Sequence, residues 1–429
     1  MVTQQDLLTV KFNIAHPTGL LIALITAISL PQWALSAQGD DHQPLATSAD
    51  LGVDYIFEQA LRHSPEYLEI AVRNEEAANY QALGRSWIAG RPNLQMNYVD
   101  DSVLDNVGLI ELEYGVQLPL WRPGEKRDMS TLGRGYTGQA AAWQDYLRLF
   151  VAGRLRSNLA AIDEAQSLLL LAQEATRDAQ ELLTITRTLF DAGEVSRLEV
   201  MRVESLLLNQ QKNELQAEAA LVDAEREYSV LTGLNIRPDS QYHEVLATQQ
   251  DVEVSHPQLR FLQSGIDVAE AGIKQVEMLA RGSPTLTLGS RRQRDRRQEA
   301  YIDSLAISIN IPIGGNAFVS SKTSNARRQK VEAEVLFQNT YRELNRQLHE
   351  IEHELYLTEQ AMPLTLQHQD LSARQWEMAK IAFELGEVAL NQVMLALQQA
   401  HDSKREVELL KLKKKRLITE FNQGIGVLP

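Results

Sequence analysis

The stretch Leu189-Phe190-Asp191-Ala192-Gly193-Glu194-Val195 returns as Ala382-Phe383-Glu384-Leu385-Gly386-Glu387-Val388, with its glycine 193 residues further on. The same interval separates Pro119 from Pro312 and Gly233 from Gly426, and Val200-Met201 returns as Val393-Met394; Pro65 and Pro257, like Pro92 and Pro284, lie 192 apart. Solenoid repeats recur every 20 to 50 residues or so, so a period this long marks two copies of one domain-sized unit. Repeat 1 is placed at 55–249 and repeat 2 at 250–429, behind an extension.

The extension divides into an expected signal peptide, 1–37, and a linker, 38–54. Lys11 precedes a short apolar run at 19–30, and Ala34-Leu35-Ser36-Ala37 offers a small-residue cleavage region. That run is shorter than the roughly 20 residues a spanning helix needs. Elsewhere no stretch approaches such a length of apolar residues, which excludes a transmembrane helix but not a membrane barrel. The chain has no cysteine, hence no disulfide, no thiolate metal site and no lipid-bearing cysteine. A net charge of −15 argues against nucleic acid as a partner, since phosphate binders carry surplus Lys and Arg.

No proline occurs between Pro123 and Pro238, and Ala, Leu, Glu and Gln abound. This predicts a helix over about 125–190 and a returning one over about 196–231. Leu155, Leu159, Ile162 and Leu169 keep coiled-coil spacing. Gly193 suits the left-handed turn after a helix, and Ser196 can cap the next. Repeat 2 copies this over about 321–384 and 389–422, with Leu344, Leu348, Ile351 and Leu355 as its seam. Pro363 stands where repeat 1 has Leu170, which predicts a kink or short break.

Ahead of each long helix the period changes from helical to two. Ile110, Leu112, Tyr114, Val116, Leu118 and Leu120 alternate with polar residues, as do Leu305, Ile307, Ile309, Ile311 and Ile313. With the shorter segments Leu94-Met96-Tyr98 and Leu286-Leu288 they predict strand hairpins at about 94–120 and 285–313. The fold class is mainly α with a small β part. Four strands leave two open edges and cannot enclose a lumen, since small membrane barrels use about eight. Embedded strands must therefore be pooled with those of other copies.

This order of helix, strand hairpin, very long helix, glycine tip and returning helix, with Pro119 and Pro312 at the strand exits, resembles the TolC family of outer-membrane efflux ducts over residues 55–426. The tips are similar to those of its heavy-metal efflux branch. The resemblance implies a homotrimer with one 12-stranded outer-membrane barrel, continued into the periplasm as a helical tube. It implies a periplasmic membrane-fusion adaptor and an inner-membrane pump of the RND or ABC type as partners, no cofactor and no catalysis. It also implies a constriction near the tips, here at Gln392 with Glu199 as its counterpart, where glutamine departs from the family's acidic ring.

Three groups of residues invite functional readings. Gly193, Glu194, Val195, Gly386, Glu387 and Val388 form exposed tips suited to docking an adaptor, or simply staple the turn. Arg291, Arg292, Arg294, Arg296 and Arg297 are expected in the outer loop of the second hairpin, facing lipid phosphates or only solvent. His349-Glu350-Ile351-Glu352-His353 matches the zinc-peptidase pattern, with Glu377 as a third candidate, and would make the chain a secreted enzyme. Yet Leu348 and Ile351 turn those histidines away from the seam, and the first-repeat counterparts Arg156 and Ala160 read as surface residues. A coiled-coil scaffold is the remaining alternative.

Overall fold

The computed structural model describes residues 43–103, 105–249 and 251–429; the expected signal peptide lies outside them. In chain order the elements are β1 (Ala46–Ser48), α1 (Val53–His63), a one-turn 3-10 helix (Pro65–Tyr67), α2 (Leu68–Arg85), β2 (Asn93–Asp100), β3 (Ile110–Pro119), α3 (Glu125–Asp191), α4 (Arg197–Thr232), β4 (Ile236–Pro238), α5 (Pro257–Arg281), β5 (Thr285–Arg294), β6 (Ile302–Asn310), α6 (Asn316–Glu384) and α7 (Leu390–Gly424). At 67 and 69 residues, α3 and α6 each run about 100 Å. Among the described residues no helix is long and apolar enough to cross a membrane.

Helices this long are stable because they lie against others along their length. Near the sheet α3 is flanked by α2 and α5; toward the tips α4 and α7 take over. Leu155, Leu159 and Ile162 are buried with Ile56 and Phe57 of α1 and with Leu221 and Tyr228 of α4, and Leu169 packs on the same cluster. Burying each such side chain contributes about 1.5–3 kcal/mol. Leu348 is the buried centre of the second seam, with Leu344 and Ile351 beside it.

The repeats differ where their apolar stripes differ. The face of α1 is Ile56, Phe57, Ala60 and Leu61; the matching positions in repeat 2 are Thr248, Gln249, Val252 and Glu253. With one apolar residue of four there is no stripe to bury, and that segment is not helical.

β2, β3, β5 and β6 form one antiparallel sheet in that order, with β2 and β6 as open edges, as the strand count requires. A second, two-stranded parallel sheet joins β1 to β4, placing a strand inside what sequence alone reads as linker. Leu45 N–H donates to Glu225 Oε2 at 2.7 Å and Arg237 Nε to Glu225 Oε1 at 2.5 Å, tying that sheet to α4 through a buried ion pair.

The expected break at Pro363 and the surface reading of Arg156 are corrected. α6 continues without a break through Pro363, which sits on an exposed face where the carbonyl it leaves without a donor can meet solvent. Arg156 is not a surface residue: it is 3 % exposed, because residues from both repeats close over it.

Candidate functional site

The register of the sheet sorts its side chains into two faces. On one, the cross-strand rows are Leu118–Leu286–Ile309, Leu94–Val116–Leu288–Ile307 and Met96–Tyr114–Ser290–Leu305. On the other they are Asn93–Gln117–Thr287–Ser308, Gln95–Gly115–Gly289–Ala306 and Asn97–Glu113–Arg291–Ser304. The apolar face is open, Leu94 being 82 % and Leu305 77 % exposed, and Ile311 and Ile313 extend it toward the helices. From Leu305 to Ile309 the uncharged rows cover about 13 Å along β6, and Ile311 and Ile313 follow beyond its end. An apolar surface this continuous requires lipid or another chain to cover it.

Gly115 and Gly289 face each other in the β3–β5 pair. A Cβ on Gly289 would lie 2.2 Å from the Tyr114 carbonyl oxygen, so only glycine admits this approach. A glycine at a polar-face position in each of two alternating strands was the sequence signal for such a contact.

The arginine cluster is not one loop. Arg291, Arg292 and Arg294 belong to β5, and only Arg296 and Arg297 lie in the turn beyond it. The alternation of a strand runs through a charge cluster as readily as through an apolar one, and splits it. Arg291 joins the polar face and pairs with Glu111 at 2.6 Å; Arg292 joins the apolar face, in the row Tyr98–Leu112–Arg292–Asp303.

At the other end of the strands the two prolines occupy matching corners, Pro119 against Gly90 and Pro312 against Gly282. Arg122, which sequence reading passed over, locks them together. Its guanidinium donates to the Gly282 carbonyl at 3.1 and 3.0 Å and to the Pro312 carbonyl at 2.9 Å, binding the start of α3 to the strand exits of repeat 2. Gly315 holds the corresponding place in repeat 2.

The turns at the two tips are built alike. Gly193 and Gly386 have φ of 81° and 72°, and Glu194 and Glu387 N–H groups donate back to the Leu189 and Ala382 carbonyls at 2.9 and 2.8 Å. Val195 and Val388 are half-buried against the shared tip core of Leu182, Val200, Val203, Phe383, Val393 and Leu397, whereas Glu194 and Glu387 are exposed. The two turns lie close: a Cβ on Gly386 would be 4.0 Å from a Glu194 carboxylate oxygen. They differ in their caps. Ser196 and Glu199 form a reciprocal capping box, with Glu199 accepting from Ser196 N–H at 2.7 Å, while Ala389 caps nothing. Gln392 is exposed one turn into α7.

Midway, Arg156 meets Glu244 by two bonds of 2.7 and 3.0 Å and donates to Gln423 Oε1 at 2.6 Å. Burial pushes the Glu244 carboxyl up, but Arg156, Tyr242 and Asn422 together outweigh it and hold it below the usual range. Asp163 has weaker support, one N–H from Tyr242 at 3.0 Å, and burial pushes it up to about 6.

His349 and His353 are both exposed, and Glu350 is paired with Arg346. Among the described residues no three His, Asp or Glu side chains converge as a metal site would require.

Residues 58–234 match the family model of outer membrane efflux proteins. A search of curated protein sequences finds no match. The fold is similar to that of the outer membrane protein VceC of Vibrio cholerae (13% identity, covering 87% of this chain and 96% of that one, TM-score 0.70). It is similar too to the MtrE outer membrane channel of Neisseria gonorrhoeae in its open state (14%, 90% and 91%, 0.68) and to the CmeC outer membrane channel of Campylobacter jejuni (14%, 91% and 90%, 0.66). At these identities the likeness is one of fold.

Proposed function

We propose that the chain is an outer membrane efflux protein of the TolC family, of which three copies pair edge β6 of one with edge β2 of the next, closing a single barrel of 12 strands. TolC-like channels are trimers that work with adaptors and inner-membrane pumps. One observation carries the reading for this chain: a sheet with a lipid-compatible face, a polar face and two open edges, each hairpin feeding a helix of about 100 Å. The polar face lines a passage; the helices extend it to the tips. Solutes are conducted passively to the exterior.

The native chain has no cysteine, so crosslinking is clean. Leu94→Cys combined with Ile307→Cys, treated with a short bismaleimide, should give a ladder ending at three subunits, in protein that also forms channels in planar bilayers. A monomer that stays soluble without detergent would overturn the proposal.

Glu194 and Glu387, with Val195 and Val388 bracing the turns from beneath, form the surface that meets a periplasmic adaptor, and through it a pump of the RND or ABC type. Charge reversal at both glutamates should abolish adaptor pull-down with thermal stability unchanged; retained pull-down would remove the tips from the interface. Gln392, with Glu199 on the neighbouring hairpin, draws the narrowest ring. Gln392→Glu should then raise cation selectivity in single-channel recordings. The barrel's apolar face meets outer-membrane lipid.

A further inference from the structure

The distal end of that apolar face carries charge. Beyond the uncharged rows, the next row holds Arg292 and Asp303, and Arg294 follows on the same face, paired with Ile110. The guanidinium carbons of Arg292 and Arg294 lie 4.9 and 4.8 Å from the Tyr301 ring centroid, at the end of the sheet farthest from the helices. A cation at the bilayer midplane costs about 2–4 kcal/mol and near the interface almost nothing, so this row marks where hydrocarbon gives way to headgroups. Tyr98 and Tyr301 suit the same boundary.

The acids nearby do not consume both cations. Asp303 lies 3.6 Å from Arg292 Nε, and Asp100 is held by the Ser102 N–H at 2.6 Å and the Tyr98 hydroxyl at 2.9 Å. Arg294 has no ion pair among the described residues, and its Nε is buried without a hydrogen-bond partner.

We propose that Arg292 and Arg294, steadied on Tyr301, bind a phosphate of an outer-leaflet glycolipid, anchoring each subunit at the outer membrane–water boundary. Guanidinium forks match phosphate oxygens two by two, and the aromatic ring holds both side chains against the lipid-facing wall. Arg291, one residue away, takes no part because it faces the passage. The inference rests on the barrel reading above.

The test uses the full chain in phosphatidylcholine vesicles doped with lipid A, followed by extraction and measurement of lipid A retained per subunit. Wild type should retain bisphosphorylated lipid A, little of the dephosphorylated form, and should not lose it to inorganic phosphate. R292Q and R294Q should each lower the affinity about tenfold, equivalent to about 1.4 kcal/mol, whereas R291Q should leave retention unchanged and alter ion selectivity instead. Equal retention by the double variant, equal loss with R291Q, or full displacement by inorganic phosphate would each overturn the site. Conductance is recorded from the same vesicles: channels with unaltered retention sink the lipid site alone, while the absence of channels from wild type sinks the barrel and the site together.

Discussion

Arg156 of α3 and Glu244, in the segment between β4 and α5, meet fork to fork at 2.7 and 3.0 Å, with the arginine 3 % exposed. Gln423 of α7 closes the same cluster, accepting from Arg156 and donating to the Leu149 carbonyl at 2.9 Å. One side chain of repeat 1 thus fixes how the end of repeat 2 lies against it.

Arg156→Ala should lower stability by about 3–5 kcal/mol, because it leaves a buried carboxylate without its cation. The pair Arg156→Met with Glu244→Leu removes both charges and should lose much less. Thermal melting of the detergent-solubilised protein compares the two; equal losses would mean that the ion pair is not what the site depends on.

Asp163 behaves in the opposite sense to Glu244. Its folded-state pKa is raised from 3.8 to about 6, so the native state holds a proton that the unfolded chain releases. Its contribution is therefore fully present below about pH 4 and lost as pH rises through about 6. Asp163→Asn should stabilise the protein at pH 7.5, by an amount on the order of 3 kcal/mol, and make no difference at pH 3.5. A pH series of melting temperatures reads this directly. For Glu244 the lowered pKa stabilises above its unfolded value of 4.5 and that benefit is lost on acidification.

Gly289→Val should stop β3 and β5 from pairing, since even a Cβ there would lie 2.2 Å from the Tyr114 carbonyl oxygen. The expected result is loss of assembled subunits on semi-native gels. Gly138→Val is the control, because a Cβ at Gly138 meets nothing within 4 Å.

Gly193→Ala and Gly386→Ala meet no atoms that would clash; their cost is conformational, about 1–2 kcal/mol for a left-handed residue with a side chain. Amide exchange should speed up over residues 188–200 or 381–393 and stay unchanged elsewhere. Uniform acceleration along the chain would contradict a local role.

The repeat, the long helices and the alternating strands were legible in the sequence because each rests on a period, and a period is a property of neighbours along the chain. Leu155, Leu159 and Ile162 declared their burial that way. Arg156 did not: what buries it are Glu244 and Gln423, 88 and 267 residues away, and nothing local reports their approach. Arg122 was missed for the same reason, its partners being carbonyls of Gly282 and Pro312. The arginine cluster was visible as composition, but its division between two faces needed the register of β5, which fixes where the strand begins.

The unequal caps on the two otherwise matching tips have an outcome at the level of the assembled mouth. In the trimer proposed above, three subunits would present six glycine turns, three with the Ser196–Glu199 clasp and three, starting at Ala389, without it. Such a rim would have six corners but only three clasped ones. A sixfold collar could seat on it without strain while pulling open only alternate corners, so that dilation proceeds by threes.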